Sequence, residues 1–189
     1  MQDFINNIIE NLEIIVSSVH PCIGIIIGML IIMLESMIPI LPLALFIALN
    51  MLLFGTVIGF IMSWIATIIG CILSFIIVRK GLQNSVEKHD LKLMKKINKM
   101  EFTTFTMITA LPFMPAFAIN IAAGLSKMSF KRFVISIAIS KLIIVYFWGF
   151  IGTSLIESIT DVRILTKIIV MLLIAYAGSK YVMKKYKID

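Results

Sequence analysis

Polar positions in this 189-residue chain are few and clustered, and long apolar runs separate them. In residues 1–13, Phe4, Ile5, Ile8, Ile9 and Leu12 share one helical face. Asp3, Asn6, Asn7, Glu10 and Asn11 lie opposite, which predicts a short amphipathic helix. Ile14–Leu34 is uncharged and long enough to span a membrane once, with His20-Pro21 placed to kink it or delay its start. After Glu35, the stretch Met37–Val78 carries no charge over about twice the length of one span, so it must fold back on itself. Its first part holds Pro39-Ile-Leu-Pro42, and two prolines three apart interrupt helical hydrogen bonding. Gly55–Val78 predicts a true span. Gly55, Gly59, Ser63, Thr67 and Cys71 recur every fourth residue, beside Ala66, Gly70 and Ser74. Such a stripe of small residues admits a close helical neighbour.

The segment 79–101 is a basic loop carrying Arg79, Lys80, Lys88, Lys92, Lys95, Lys96 and Lys99, which the positive-inside rule assigns to the cytoplasm. Val86, Leu93, Ile97 and Met100 predict a basic helix on the anionic leaflet. Phe102–Ser126 is uncharged, and as a simple span it would carry Lys127, Lys131 and Arg132 outside. Pro112-Phe-Met-Pro115 lies at its centre, so the expectation is a hairpin that enters from the cytoplasm, turns at the prolines and returns. Phe133–Ile156 then crosses outward, Glu157–Arg163 forms an outer loop, and Ile164–Ser179 crosses back. Lys180, Lys184, Lys185 and Lys187 end inside.

Composition supports the bilayer as solvent. The chain is 60% hydrophobic and 14% charged, against about 45–50% and about 25% in soluble domains. Mean hydropathy is +1.07. The net charge of +7 sits in short clusters between apolar runs, which argues for orientation in a membrane and against nucleic-acid binding. Cys22 and Cys71 lie inside apolar stretches without metal-like spacing. With two histidines and no H-x-x-x-H, no metal or cofactor is expected. No histidine stands near a serine and an acid in a nucleophile motif, so an enzyme is not expected. The acidic N-terminus does not read as a signal peptide.

The proline pairs Pro39/Pro42 and Pro112/Pro115 lie 73 residues apart. Each is followed by an asparagine (Asn50, Asn120), then a glycine (Gly55, Gly124), then a spanning segment. Helix parity puts the first hairpin on the outer side and the second on the inner side. The fold class expected is an all-α polytopic membrane protein: an inverted repeat of two opposed re-entrant hairpins plus transmembrane helices, in one domain. Repeat 1 covers 35–78, repeat 2 covers 102–156, and the last span is 164–179. Transporters use such interrupted segments to build a midplane site with helix N-termini facing an anion. Plain kinks in ordinary helices are the alternative.

Glu35-Ser-Met-Ile-Pro39-Ile-Leu-Pro42, Asn50, Phe54-Gly55, Gly59, Ser63-Trp64, Gly70 and Arg79 resemble the first half of a DedA-family (VTT-domain) membrane protein. Leu111-Pro112-Phe-Met-Pro115, Asn120, Ala123-Gly124 and Phe130 resemble the second. The resemblance covers about residues 30–155. It implies opposed re-entrant hairpins and movement of lipid across the bilayer. Bacterial members are tied to recycling of undecaprenyl phosphate and to membrane homeostasis. The partner implied is a membrane lipid, polyprenyl phosphate or phospholipid, in a bacterial inner membrane with the C-terminus cytoplasmic; a homo-oligomer is left open. A small-solute or ion transporter and a non-transporting assembly factor are the rival functions. Where the family often has a phosphate-contacting arginine, three residues before Pro112, this chain has Thr109. Leu43 and Ala44 stand where a second acidic residue often follows the first proline pair.

Ionisable groups within apolar sequence are functional candidates. Glu35 is either solvated at a helix end or a proton carrier at the mouth of the first hairpin. Lys141 lies deep in Phe133–Ile156. Either its stem snorkels to the interface, or its charge meets a phosphate or Glu35. Arg79 is a topology anchor or a headgroup contact. Asn50 and Asn120 close the hairpins or bind substrate. Trp64, Tyr146 and Trp148 read as packing or interface residues.

Overall fold

In a computed structural model of the chain, residue 7 and residues 21–38, 42–82, 92–158 and 161–186 are described. Most of them are helical, broken by short turns such as residues 110–115 and 126–129, with no strand among them. The amphipathic segment 1–13, apart from residue 7, lies outside the described residues, as do Pro39 and Lys88.

In chain order the helices are α1 (Pro21–Met37), α2 (Leu43–Phe54) and α3 (Thr56–Ile77), the last extended by a π-helical turn, Val78–Leu82. Then follow α4 (Lys92–Lys99), α5 (Phe102–Thr109), α6 (Ala116–Leu125), α7 (Phe130–Ser158) and α8 (Val162–Tyr186). The segments Thr56–Gly81, Phe130–Ile156 and Val162–Tyr186 are long and apolar enough to cross a membrane. Helices α2, α5 and α6, at 12, 8 and 10 residues, fall short of the roughly 20 that a crossing takes. Both breaks fall at proline pairs. Pro42 and Pro115 each stand immediately before a helix, where a missing N–H costs nothing.

The central helices are α3 and α7: α3 packs on α1, α2, α6 and α7, and α7 also packs on α2 and α5. Lipid tails are as apolar as leucine, so association rests on close contact, which small residues allow. The predicted stripe forms that contact. Gly59, Ser63, Ala66, Thr67, Gly70, Cys71 and Ser74 are all buried. A Cβ on Gly59 would collide with the backbone of Asn50 and Met51 in α2, and one on Gly70 with the carbonyl of Met33 in α1. Gly55 stands apart from the stripe. It has open space around it and φ of 83°, the left-handed corner between α2 and α3 that glycine takes most readily.

Two apolar clusters result. One joins Ile32, Ile47, Ala66 and Val145 from α1, α2, α3 and α7. The other gathers α3 to α7 around Phe75, Phe105 and Phe133, with Phe75 stacked on Phe133 at 4.2 Å between ring centroids. Helix α4 (Lys92–Lys99) packs on the protein. Its apolar side, Met94 and Ile97, is buried against the protein, with α6 as neighbour, while Lys95 and Lys99 stay exposed. The short helix α6 offers an uncovered apolar flank that this side fills. Helix α8 is peripheral, with 11% of its apolar stretch buried against 50% for α3. It also runs through Lys180, Lys184 and Lys185 rather than ending at Ser179.

Candidate functional site

A cavity of about 530 Å³ opens where the two apolar clusters meet, and both proline-linked junctions border it. Pro42, Leu43 and Ala44 bring the start of α2 to its wall. Pro115, Ala116, Phe117 and Ala118 bring the start of α6. The first amides of a helix have no acceptor within it, and each N-terminus carries about half a positive charge. Two such ends at one cavity therefore supply about one charge-equivalent of positive potential without a titrating group.

Polar side chains of both signs share the lining. Glu35, Thr67, Thr109, Asn120 and Lys141 line the same cavity. Glu35 is 8% exposed and Lys141 5%, so both side chains lie inside the helix bundle, at the cavity, rather than on its outer surface. Among the described lining residues Lys141 is the one cation and Glu35 the one acid, the rest being mostly apolar, and a buried charge left unpaired costs several kcal/mol. Asn120 is 1% exposed and its Nδ2 has no hydrogen-bond partner. An unmade bond of this kind costs about 1–3 kcal/mol. Thr109 gives its hydroxyl to its own helix, to the carbonyls of Phe105 (2.9 Å) and Thr106 (3.1 Å). Its oxygen can still accept a bond, but it brings no charge.

A chain of aromatic contacts leads away from one edge of the cavity. Trp148 lines the cavity and meets Phe113 edge-on at 5.8 Å, and Phe113 meets Tyr176 of α8 at 5.7 Å. Phe113 lies between the prolines of the second pair, so its ring joins that turn to α7 and α8.

Three predicted site residues fall elsewhere. Asn50 Nδ2 donates to Ser63 Oγ (3.3 Å), and Asn50 packs against Gly28 of α1. It ties α1, α2 and α3 together. Arg79 Nε donates to the carbonyl of Gly124 (3.0 Å). Its Nη2 reaches the carbonyls of Ala123 (3.3 Å), Ser126 (2.9 Å) and Met128 (2.8 Å). The guanidinium also lies over the Phe75 ring at 4.1 Å. Gly124 sits at the same junction, where a Cβ would press on Phe75 O and Val78 at 3.0 Å. None of these three lines the cavity.

The VTT domain matches residues 38–154. The chain belongs to the VTT-domain (DedA) family. It is 33% identical over 164 residues to YhjE of Bacillus subtilis (strain 168), named an uncharacterized membrane protein, covering 83% of this chain and 79% of that one. No solved structure matches. The VTT match takes in both junctions and α7, so the cavity lining from Pro42 to Trp148 lies within it. Glu35, before the match, and α8, after it, complete the surroundings. Thr67 and Trp148 are lining residues that the sequence did not single out as site residues. Thr67 looked like one member of a packing stripe. Trp64, by contrast, is a packing residue, its Nε1 donating to the carbonyl of Ala138 at 2.9 Å.

Proposed function

We propose that this VTT-domain protein translocates a lipid, with an anionic phosphate headgroup held in the cavity and the acyl or prenyl tail left in the bilayer. The observation that carries the reading is the convergence of two helix N-termini, Lys141 and the unpartnered Asn120 amide on one space of about 530 Å³. Ligand cavities typically measure about 300–1,000 Å³, so a phosphate headgroup fits without its tail. Lys141 supplies the formal charge that Thr109 does not, acting as a point charge rather than a bidentate fork. Glu35 in the same lining is the proposed proton-coupling group. In this reading the chain turns back at the proline pair before α2 and at the one between α5 and α6, giving two opposed re-entrant hairpins. They leave open backbone only where protein or the cavity covers it. The proposed setting is a bacterial inner membrane with the C-terminus cytoplasmic, and the proposed lipid is undecaprenyl phosphate. The action is movement, with no covalent step.

The test is Lys141→Ala in phosphatidylcholine vesicles doped with undecaprenyl phosphate, scoring exposure of the lipid in the opposite leaflet at matched protein content. The expected outcome is a loss of at least tenfold in rate. An unchanged rate removes Lys141 from the mechanism. Flux of free inorganic phosphate without lipid exposure would make the cavity a small-anion pathway instead.

A further inference from the structure

The strongest polar cluster outside the cavity surrounds Arg79. Four carbonyls, those of Ala123, Gly124, Ser126 and Met128, accept from one guanidinium, and its face rests on Phe75. These carbonyls lie at and just beyond the C-terminus of α6, the helix whose N-terminus lines the cavity. A helix end leaves its last four carbonyls without partners inside the helix and carries about half a negative charge. No lysine, arginine or histidine lies in α6 itself, and the residue just after it, Ser126, donates its hydroxyl back to the carbonyl of Ala123 (2.7 Å). The cation therefore comes from another helix. The π-helical turn Val78–Leu82 carries Arg79 there, and Gly124 allows the backbones to close.

We propose that Arg79 is a positioning residue for the cavity: by saturating the carbonyl end of α6 it fixes the amide end of that helix, and Asn120 with it, at the cavity wall. The inference rests on the anion reading above. It gives Arg79 a role in binding without contact with the bound group. The argument is mechanical as well as electrostatic. Helix α6 has only 10 residues, about 15 Å, so a rigid rod of that length transmits a displacement at one end to the other. Its start is held by Pro115, which has no side-chain cap bond. Its register is therefore set mainly at the far end, where lysine would satisfy fewer carbonyls than the planar fork does.

The experiment titrates inorganic phosphate into full-length protein in detergent, following tryptophan fluorescence because Trp148 lines the cavity. It compares Arg79→Met, Arg79→Lys, Asn120→Ala, Lys141→Met and the doubles of Arg79→Met with each of the last two. Half-saturation is expected to rise about tenfold in Arg79→Met and a few-fold in Arg79→Lys. Arg79→Met with Asn120→Ala is expected to be no worse than the poorer single variant, because both act through α6. Arg79→Met with Lys141→Met is expected to multiply the single losses, because Lys141 stands on α7. Wild-type half-saturation in a folded Arg79→Lys or Arg79→Met protein overturns the proposal, and so does a fully multiplicative Arg79–Asn120 pair. Absence of phosphate binding by the wild-type protein overturns the anion reading and this proposal together. Should Arg79→Met fail to fold, Arg79→Lys alone and combined with Asn120→Ala carries the same comparison.

Discussion

Asn50 and Asn120 each lie in the helix that follows a proline pair, eight residues after Pro42 and five after Pro115, yet their side chains do different things. Asn50 donates to Ser63 and packs against Gly28, so its amide is spent holding three helices together. Asn120 is as deeply buried, borders the cavity and leaves its Nδ2 without a partner. The surroundings of Asn50 are thus closed by side-chain bonding and glycine contacts, while Asn120 keeps an unsatisfied donor at the cavity that Lys141 also lines. A buried donor that costs stability in the resting protein is what a binding site offers, because a ligand can make the bond that the fold does not.

The comparison can be broken most severely in the first repeat. Gly59→Ala sets a methyl against the Asn50 and Met51 backbone, and overpacking of this kind is expected to remove about 3 kcal/mol, read as the unfolding midpoint in detergent. The asparagine pair sharpens the contrast at smaller cost. Asn50→Ala leaves Ser63 without its donor and is expected to lower stability by about 1.5 kcal/mol. Asn120→Ala removes an amide nitrogen that has no partner and is expected to cost less than half as much, while lipid translocation falls at least several-fold. Equal destabilisation by the two variants with equal transport would show that the repeats do not differ. The smallest effect belongs to the aromatic contacts behind Trp148. Tyr176→Ala removes one edge-on contact with Phe113 and is expected to cost about 1 kcal/mol, with a modest change in transport rate.

Much of this frame is legible in the sequence, because membrane physics writes it in coarse features. The charge clusters bound the spans, the uncharged stretch Met37–Val78 is too long for one crossing, and the prolines mark where helices stop. The small-residue stripe announces close packing, and Gly59 and Gly70 provide it. Which polar residue faces which neighbour is less legible. Asn50 and Asn120 look alike in sequence, and only the presence of Ser63 across from one separates them. Arg79 has the composition of a headgroup ligand, but its partners are backbone carbonyls more than 40 positions away, and every residue type has those. Lys141 was open between snorkelling and pointing inward, a choice set by its position around α7 relative to α2, α3 and α5. The basic helix α4 is a similar case. Amphipathicity shows that one side is covered, not whether lipid or protein covers it.

The glycine contacts along α3 also bear on how such a molecule can move. Sliding α3 by one residue, about 1.5 Å, would push side chains into backbone that only Gly59 and Gly70 admit. The block of α1, α2 and α3 therefore behaves as a stator, welded along its seam. In the proposed translocation, motion would fall to parts without such a seam: the Leu111–Pro115 turn and the lightly buried α8, in contact through the rings of Phe113 and Tyr176.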